Sequence, residues 1–306
     1  MADGSPVWKD PEIAGVRALL AGFATPAGSP EPTFEARRAG MDAFGEMSPL
    51  PAGLTKADID IDGVPTERLT PADAVEGRAL LYLHGGGYCI GSPKSHRAIA
   101  ARFADQAKAV TFVPDYRLAP EAPFPAAVDD ALKAYRYLLD EGYQPHRIAI
   151  AGDSAGGGLS LATALAARDA GLPQPGCLFL ISPWADLGYH GPSYAHMEPV
   201  DPMITVSGIK QYALHYGAGA DLNHPQMSPA RADLTGLPPM LIHVGQAEVL
   251  LSDSITLAQT AGMCGVEVRL EVWPEMIHVW HAFHDMLGAA RTATSQAAAW
   301  MAGQLA

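Results

Sequence analysis

From Ala79 onward, short apolar runs alternate with longer stretches of helical periodicity. Ala79 to Leu83, Val110 to Val113, Arg147 to Ala151, Cys177 to Ile181, Met240 to Val244 and Val266 to Val272 are short and bounded. Runs of that kind predict strands, most of them buried. In the last, Val268, Leu270 and Val272 are expected to face inward. Helices are predicted over about Lys94 to Gln106, Ala126 to Leu139, Ala155 to Arg168, Ser252 to Cys264 and Asp285 to Met301. In the second of these, Val128, Leu132, Tyr135 and Leu139 share a face. Strand–helix alternation predicts an α/β fold with a mostly parallel sheet flanked by helices.

Two segments break the rhythm. Before the first long strand lie two helical patterns, about Pro11 to Phe23 and Phe34 to Met47, separated by the Pro/Gly/Ser run Pro26 to Pro32. Their apolar faces need partners later in the chain. Ala57 to Asp62, a turn at Gly63 and Thr66 to Leu69 then read as an edge hairpin. The second break runs from Ala185 to about Pro239, with one helical pattern over Ser207 to Tyr216. A long insertion between strands of a regular sheet commonly carries function. The expected division is therefore 1–50, N-terminal helices of a cap; 51–184, first part of the core; 185–238, cap insertion; and 239–306, second part of the core. Tyr189, Tyr194, Met197 and Met203 are expected to pack the cap or to line a pocket beneath it.

The 306 residues suffice for a large core, and 48% hydrophobic with 17% charged is ordinary globular composition. A net charge of −13 argues against nucleic-acid partners and against anionic membrane surfaces. The three cysteines, Cys89, Cys177 and Cys264, are too few and odd in number for a disulfide framework, so a cytoplasmic location is expected. Leu19 to Ala24 is short, and Asp3, Asp10 and Glu12 precede it, which is unlike a signal sequence. No stretch is long and apolar enough to span a bilayer.

Gly152-Asp153-Ser154-Ala155-Gly156 joins a predicted strand directly to a predicted helix, the context in which Gly-x-Ser-x-Gly presents a nucleophile. The two glycines relieve crowding at the turn. The Ala155 amide falls at a helix N-terminus, where unpaired N–H groups favour negative charge. At another strand end, His84-Gly85-Gly86-Gly87 lets backbone amides approach a ligand closely. His84 is expected to pin that loop rather than act as a base. Asp115, Arg117 and Glu121 are expected to form a salt-bridged loop.

A serine nucleophile needs a base and an acid to orient it, and ligands bind at strand carboxyl ends in such sheets. Among eleven histidines, His278 lies in the loop after the last strand, whereas His281 and His284 fall on the helix predicted to follow. His243 is inside a strand and reads as a core histidine. The His-x-x-His-x-x-His spacing lacks a metal-binding His-Glu-x-x-His pattern, so no metal is expected.

In these motifs the chain resembles the hormone-sensitive lipase-like family, the bacterial family IV esterases, of the α/β-hydrolases. The resemblance rests on His84 to Gly87, Asp115 to Glu121, Gly152 to Gly157, Leu237 to Pro239, Glu248-Val249-Leu250 and His278-Val279. It implies an α/β-hydrolase fold with an eight-stranded sheet and a helical cap. It also implies carboxylic-ester hydrolysis without a cofactor, on a small-molecule ester, through an acyl-enzyme on Ser154. The implied oxyanion hole comprises the loop of Gly85, Gly86 and Gly87, with Gly86 and Gly87 favoured as donors, and the Ala155 amide. The family usually carries aspartate where Glu248 stands, which leaves Asp253 as an alternative acid. Glu248 is favoured by its place just past the strand, and Asp253 is explained by the start of a helix. The rival readings are a non-catalytic small-molecule receptor on this fold and an amidase. A preference for short acyl chains and a homodimer through the last strand are expected.

Overall fold

The computed structural model describes residues 9–22 and 30–306. Two helices open the chain, α1 (Pro11–Gly22) and α2 (Phe34–Glu46). The Thr33 hydroxyl caps the second by accepting from Ala36 N. Phe23, where the first helix was expected to end, and most of the Pro26 to Pro32 run lie outside the described residues. The hairpin follows as β1 (Thr55–Ile61) and β2 (Val64–Thr70), antiparallel across the Gly63 turn. Strands and helices then alternate: β3 (Ala79–Leu83), α3 (Pro93–Ala107), β4 (Val110–Pro114), α4 (Ala126–Asp140), β5 (Ile148–Asp153), α5 (Ala155–Asp169) and β6 (Cys177–Ile181). The irregular segment contributes α6 (Ser193–His196) and α7 (Val206–Gly217). β7 (Met240–Gly245), α8 (Leu251–Met263), β8 (Val268–Trp273) and α9 (Gly288–Gln304) complete the chain.

The strands form one eight-stranded sheet in the order β1-β2-β4-β3-β5-β6-β7-β8. β2 is antiparallel to both of its neighbours, and the sheet from β4 to β8 is parallel. Every residue of β3, β5, β6 and β7 is buried, as continuous apolar runs require of central strands. Each large side chain so covered stabilises the fold by about 1.5–3 kcal/mol.

Three expectations change. β8 begins at Val268, and Val272 is 43% exposed instead of inward-facing. As the edge strand, it packs Val268 and Leu270 on the core and leaves its far end open. The closing helix begins at Gly288, because a 3₁₀ turn over Trp280–Phe283 intervenes. Met203 is 44% exposed, so it does not pack the interior of the insertion, whereas Tyr194 is buried.

The N-terminal helices find their partners near the carboxyl ends of the strands. Ile13 and Val16 of α1 join a buried cluster with Met276, Ile277, Trp280 and Phe283. The Glu275 carboxylate accepts from the amides of Lys9 and Asp10, and the Arg17 guanidinium donates to Val200 O. Phe34 of α2 meets His215 of α7 edge-on at 5.1 Å and tilts toward Tyr212 at 5.7 Å.

Candidate active site

β5 ends at Asp153 and α5 begins at Ala155, so a single residue, Ser154, makes the turn. Its backbone sits at φ +54° and ψ −122°, a strained conformation for a residue with a side chain. Ser154 N donates to Ile181 O on β6 at 2.8 Å, and Ser154 O accepts from Trp184 N at 2.8 Å. A β-carbon on Gly152 would collide with Gly156 O, and one on Gly156 would collide with Leu83 O. The turn therefore closes only with glycine at both positions. Ala155 N is the first amide of α5, and the opening amides of a helix lack intrahelical partners.

The glycine loop follows β3. Gly85 N donates to Asp153 Oδ1 at 3.2 Å, so this amide is already engaged. Gly86 and Gly87 have φ of +115° and +61°, and Gly86 O accepts from the amides of Cys89 and Ile90. His84 is fully buried, stacks on Tyr116 at 4.1 Å and has its Nδ1 2.8 Å from Gly85 O. Burial and the neighbouring His96 push His84 down to about 3, which suits a neutral loop pin.

Glu248 lies just past β7, and His278 lies in the loop after β8. His278 Nδ1 is 2.9 Å from Glu248 Oε2, and both side chains are buried. The second carboxylate oxygen, Oε1, accepts from Gly245 N at 3.2 Å. Burial disfavours the charged imidazole, but the hydrogen bond and the charge of Glu248, with Asp201 and Asp153 further off, hold His278 above its ordinary 6.5. Burial pushes the Glu248 carboxyl up, with the His278 hydrogen bond acting against it. Val279 N donates to Ser182 Oγ at 3.2 Å, which ties the histidine loop to the end of β6, beside the Ser154 turn. Among the described residues no hydrogen bond joins Ser154 Oγ to His278. Such contacts commonly tighten only when substrate is bound.

The other candidates have different partners. Asp253 is buried in the first turn of α8, but its carboxylate leaves the helix. Oδ2 accepts from Ala185 N at 3.0 Å and Asp186 N at 2.9 Å, and Oδ1 accepts from the Tyr194 hydroxyl at 2.8 Å. It anchors the start of the insertion instead of stabilising a helix end. His281 is buried with Nε2 3.1 Å from His243 Nδ1, and it sits on the 3₁₀ turn instead of a regular helix. Arg117 and Glu121 form ion pairs outside their own loop, with Asp130 of α4 and Arg38 of α2. Asp201, which no motif or spacing marks, accepts from Val249 N at 2.8 Å, next to Glu248. It also accepts from the amides of Met203 and Ile204.

A mostly parallel sheet with a serine at a strained strand–helix turn, and a carboxylate and a histidine that meet from the loops after the second and third strands beyond it, defines an α/β hydrolase. The chain belongs to this family: the sequence pattern of the alpha/beta hydrolase fold matches residues 80–282. An acetyl-hydrolase from Streptomyces hygroscopicus is 43% identical over 292 residues, covering 95% of this chain and 96% of its own. Among solved structures, an esterase from the bacterial hormone-sensitive lipase family superposes with a TM-score of 0.94 at 37% identity, covering 98% of this chain and all of its own. EstE5, in a crystal soaked with p-nitrophenyl butyrate, superposes with a TM-score of 0.92 at 43% identity, covering 97% of this chain and 99% of its own. The family expected from the motifs is thus the one to which the chain belongs.

Proposed function

We propose that the protein is a serine carboxylesterase, with Ser154 as nucleophile, His278 as general base and Glu248 as the residue that orients the base. Ser154 Oγ attacks the ester carbonyl carbon while His278 Nε2 takes its proton. The carbonyl π electrons move to oxygen, and the oxyanion is met by the amides of Gly86, Gly87 and Ala155. The C–O bond to the alcohol then breaks as His278 returns the proton to the leaving oxygen. Water repeats the sequence on the acyl-enzyme and frees the acid. The observation that carries this reading is the 2.9 Å contact of His278 Nδ1 with Glu248 Oε2, which fixes the tautomer that leaves Nε2 free to accept a proton.

The N-terminal helices and residues 185–238 act in this reading as a cap over the strand ends. Support comes from Phe34 against α7 and from Tyr212, whose Cγ lies 3.0 Å from where a β-carbon on Gly87 would sit. A wall that close to the loop favours short acyl chains. The exposed edge of β8 supports a homodimer formed by strand pairing, testable by light scattering. No helix among the described residues is long and apolar enough to cross a membrane, and a cytoplasmic location accords with the free cysteines.

The test is turnover of p-nitrophenyl esters of increasing chain length, with labelling by a fluorophosphonate. Wild type should hydrolyse acetate and butyrate esters fastest and carry the label on Ser154, and Ser154→Ala should do neither. Folded wild type that neither turns over nor takes the label would overturn the reading in favour of a binding protein. Faster turnover of matched amides would make it an amidase.

A further inference from the structure

Asp153 stands immediately before the nucleophile and is 2% exposed, yet the mechanism above gives it no role. Its carboxylate is fully occupied. Oδ1 accepts from the Tyr82 hydroxyl at 2.7 Å and from Gly85 N at 3.2 Å. Oδ2 lies 3.3 Å from His96 Nε2 on α3. A β-carbon on Gly85 would collide with Asp153 Oδ2, so the absence of a side chain there is what admits the carboxylate. A carboxylate buried this deeply is costly unless it is hydrogen-bonded and paired. Burial pushes Asp153 up, but the charge and hydrogen bond of His96 and the Tyr82 hydroxyl together hold it below its ordinary 3.8.

The arrangement has a consequence for the loop it grips. Gly85 N is spent on Asp153, so it is not free for an oxyanion. The next two amides, of Gly86 and Gly87, are therefore placed by the same bond that ties the loop to the residue before Ser154. His96 braces the carboxylate from the far side, and Ser95 Oγ lies 2.8 Å from its Nδ1. The α3 N-terminus that carries His96 is capped by the Ser92 hydroxyl, which donates to Asp42 of α2.

We infer that Asp153 and His96 are positioning residues that hold the oxyanion loop in register with Ser154. Asp153 clamps the Gly85 amide, and His96 braces the carboxylate from its other oxygen. The inference rests on the esterase reading. It accounts for a buried carboxylate–imidazole contact beside the nucleophile and for a glycine whose amide cannot itself serve the oxyanion.

The test combines steady-state kinetics on p-nitrophenyl acetate with inhibition by an aryl trifluoromethyl ketone. The ketone adds to Ser154 Oγ to form a tetrahedral adduct: the Oγ–C bond forms, the carbonyl electrons move to oxygen and the serine proton passes to His278. Asp153→Ala should lower kcat by roughly 10²–10³-fold, the loss typical of one oxyanion donor, with KM changed by less than about threefold. His96→Gln should lower kcat by about tenfold or more. Asp153→Asn, which keeps an acceptor for Gly85 N, should recover much of the loss. In every variant the ketone's inhibition constant should rise by the factor by which kcat/KM falls. If Asp153→Ala does not fold, His96→Gln and Asp153→Asn carry the test. Folded variants with unchanged ketone affinity, or with the loss confined to KM, overturn the inference while wild-type turnover leaves the esterase reading intact. A wild type that neither turns over nor binds the ketone removes both.

Discussion

Glu248 and His278 are 30 residues apart in sequence, and their side chains meet at 2.9 Å with both groups buried. An acceptor-only carboxylate on Nδ1 leaves Nε2 as the proton acceptor. Glu248→Gln keeps the side-chain shape but can turn its amide toward the ring and select the other tautomer. Its kcat should fall by roughly 10³–10⁴-fold, with a circular dichroism spectrum like that of wild type. A variant that retains more than about a tenth of wild-type kcat would remove Glu248 from the role.

In the proposed mechanism the same pair sets the pH dependence. The base must be neutral to take the serine proton, and His278 is held above 6.5. kcat/KM should therefore rise with pH through a midpoint above 6.5 and fall away in acid. Asp201 contributes to that elevation and supports Val249 N beside Glu248. Asp201→Asn should move the acid limb to lower pH, as read from a full profile on one soluble ester. A midpoint that stays in place would show that Asp201 acts on the backbone alone.

Asp253 distinguishes the chemical acid from a structural one. Burial and the neighbouring Asp186 push its carboxyl well up, so an amide is a fair isostere. In Asp253→Asn the oxygen can still accept from Ala185 N and Asp186 N, and the NH₂ can donate to Tyr194, whose hydroxyl is 3.0 Å from Asp186 O. That variant should keep kcat within about threefold of wild type. Asp253→Ala strands two buried amides and should lose roughly 2–4 kcal/mol in urea unfolding. An inactive, stable Asn variant would instead make Asp253 the triad acid.

Three buried histidines that take no part in the proposed proton transfer set the acid stability. His84 is held at about 3, His243 is lowered by burial against the pull of Glu271, and His281 is lowered well below 6.5 by burial and His243. Each stays neutral in the folded chain at a pH where the unfolded chain binds a proton. The unfolded state thus binds more protons below 6.5, so stability is lost as pH falls. His278, raised instead, opposes this with stability that is present below 6.5 and lost as pH rises through its folded value. The net expectation is a loss of about 1–3 kcal/mol per pH unit between 6 and 4, measurable by urea unfolding. A flat profile across that window would contradict it.

Arg38 is the main polar tie between α2 and the core. It donates to Cys89 O at 2.8 Å and Ala119 O at 3.0 Å and forms a two-point ion pair with Glu121. Arg38→Leu should loosen the helix over the glycine loop and raise KM more than it lowers kcat. Limited proteolysis should then cut faster within α2. Unchanged KM and cleavage would show that α2 is held by its apolar contacts.

The sequence by itself determined the order of strands and helices, because continuous apolar runs and helical periodicity are local properties of the chain. It also determined the serine turn, since two glycines around a serine between a strand and a helix leave few conformations open. It marked the glycine loop and the histidine after the last strand for the same reason: each is adjacent to a strand whose end is legible. Where a side chain found its partner was decided by tertiary structure alone. Asp253 and Glu248 are five residues apart and chemically alike, yet one faces the insertion and the other faces His278. Gly85, Gly86 and Gly87 are identical in sequence terms, and only the carboxylate of Asp153 singles out the first. Asp201, His96 and the exposed end of β8 carried no local signal. Their roles come from segments brought together across the sheet, and local periodicity does not encode which distant surfaces will meet.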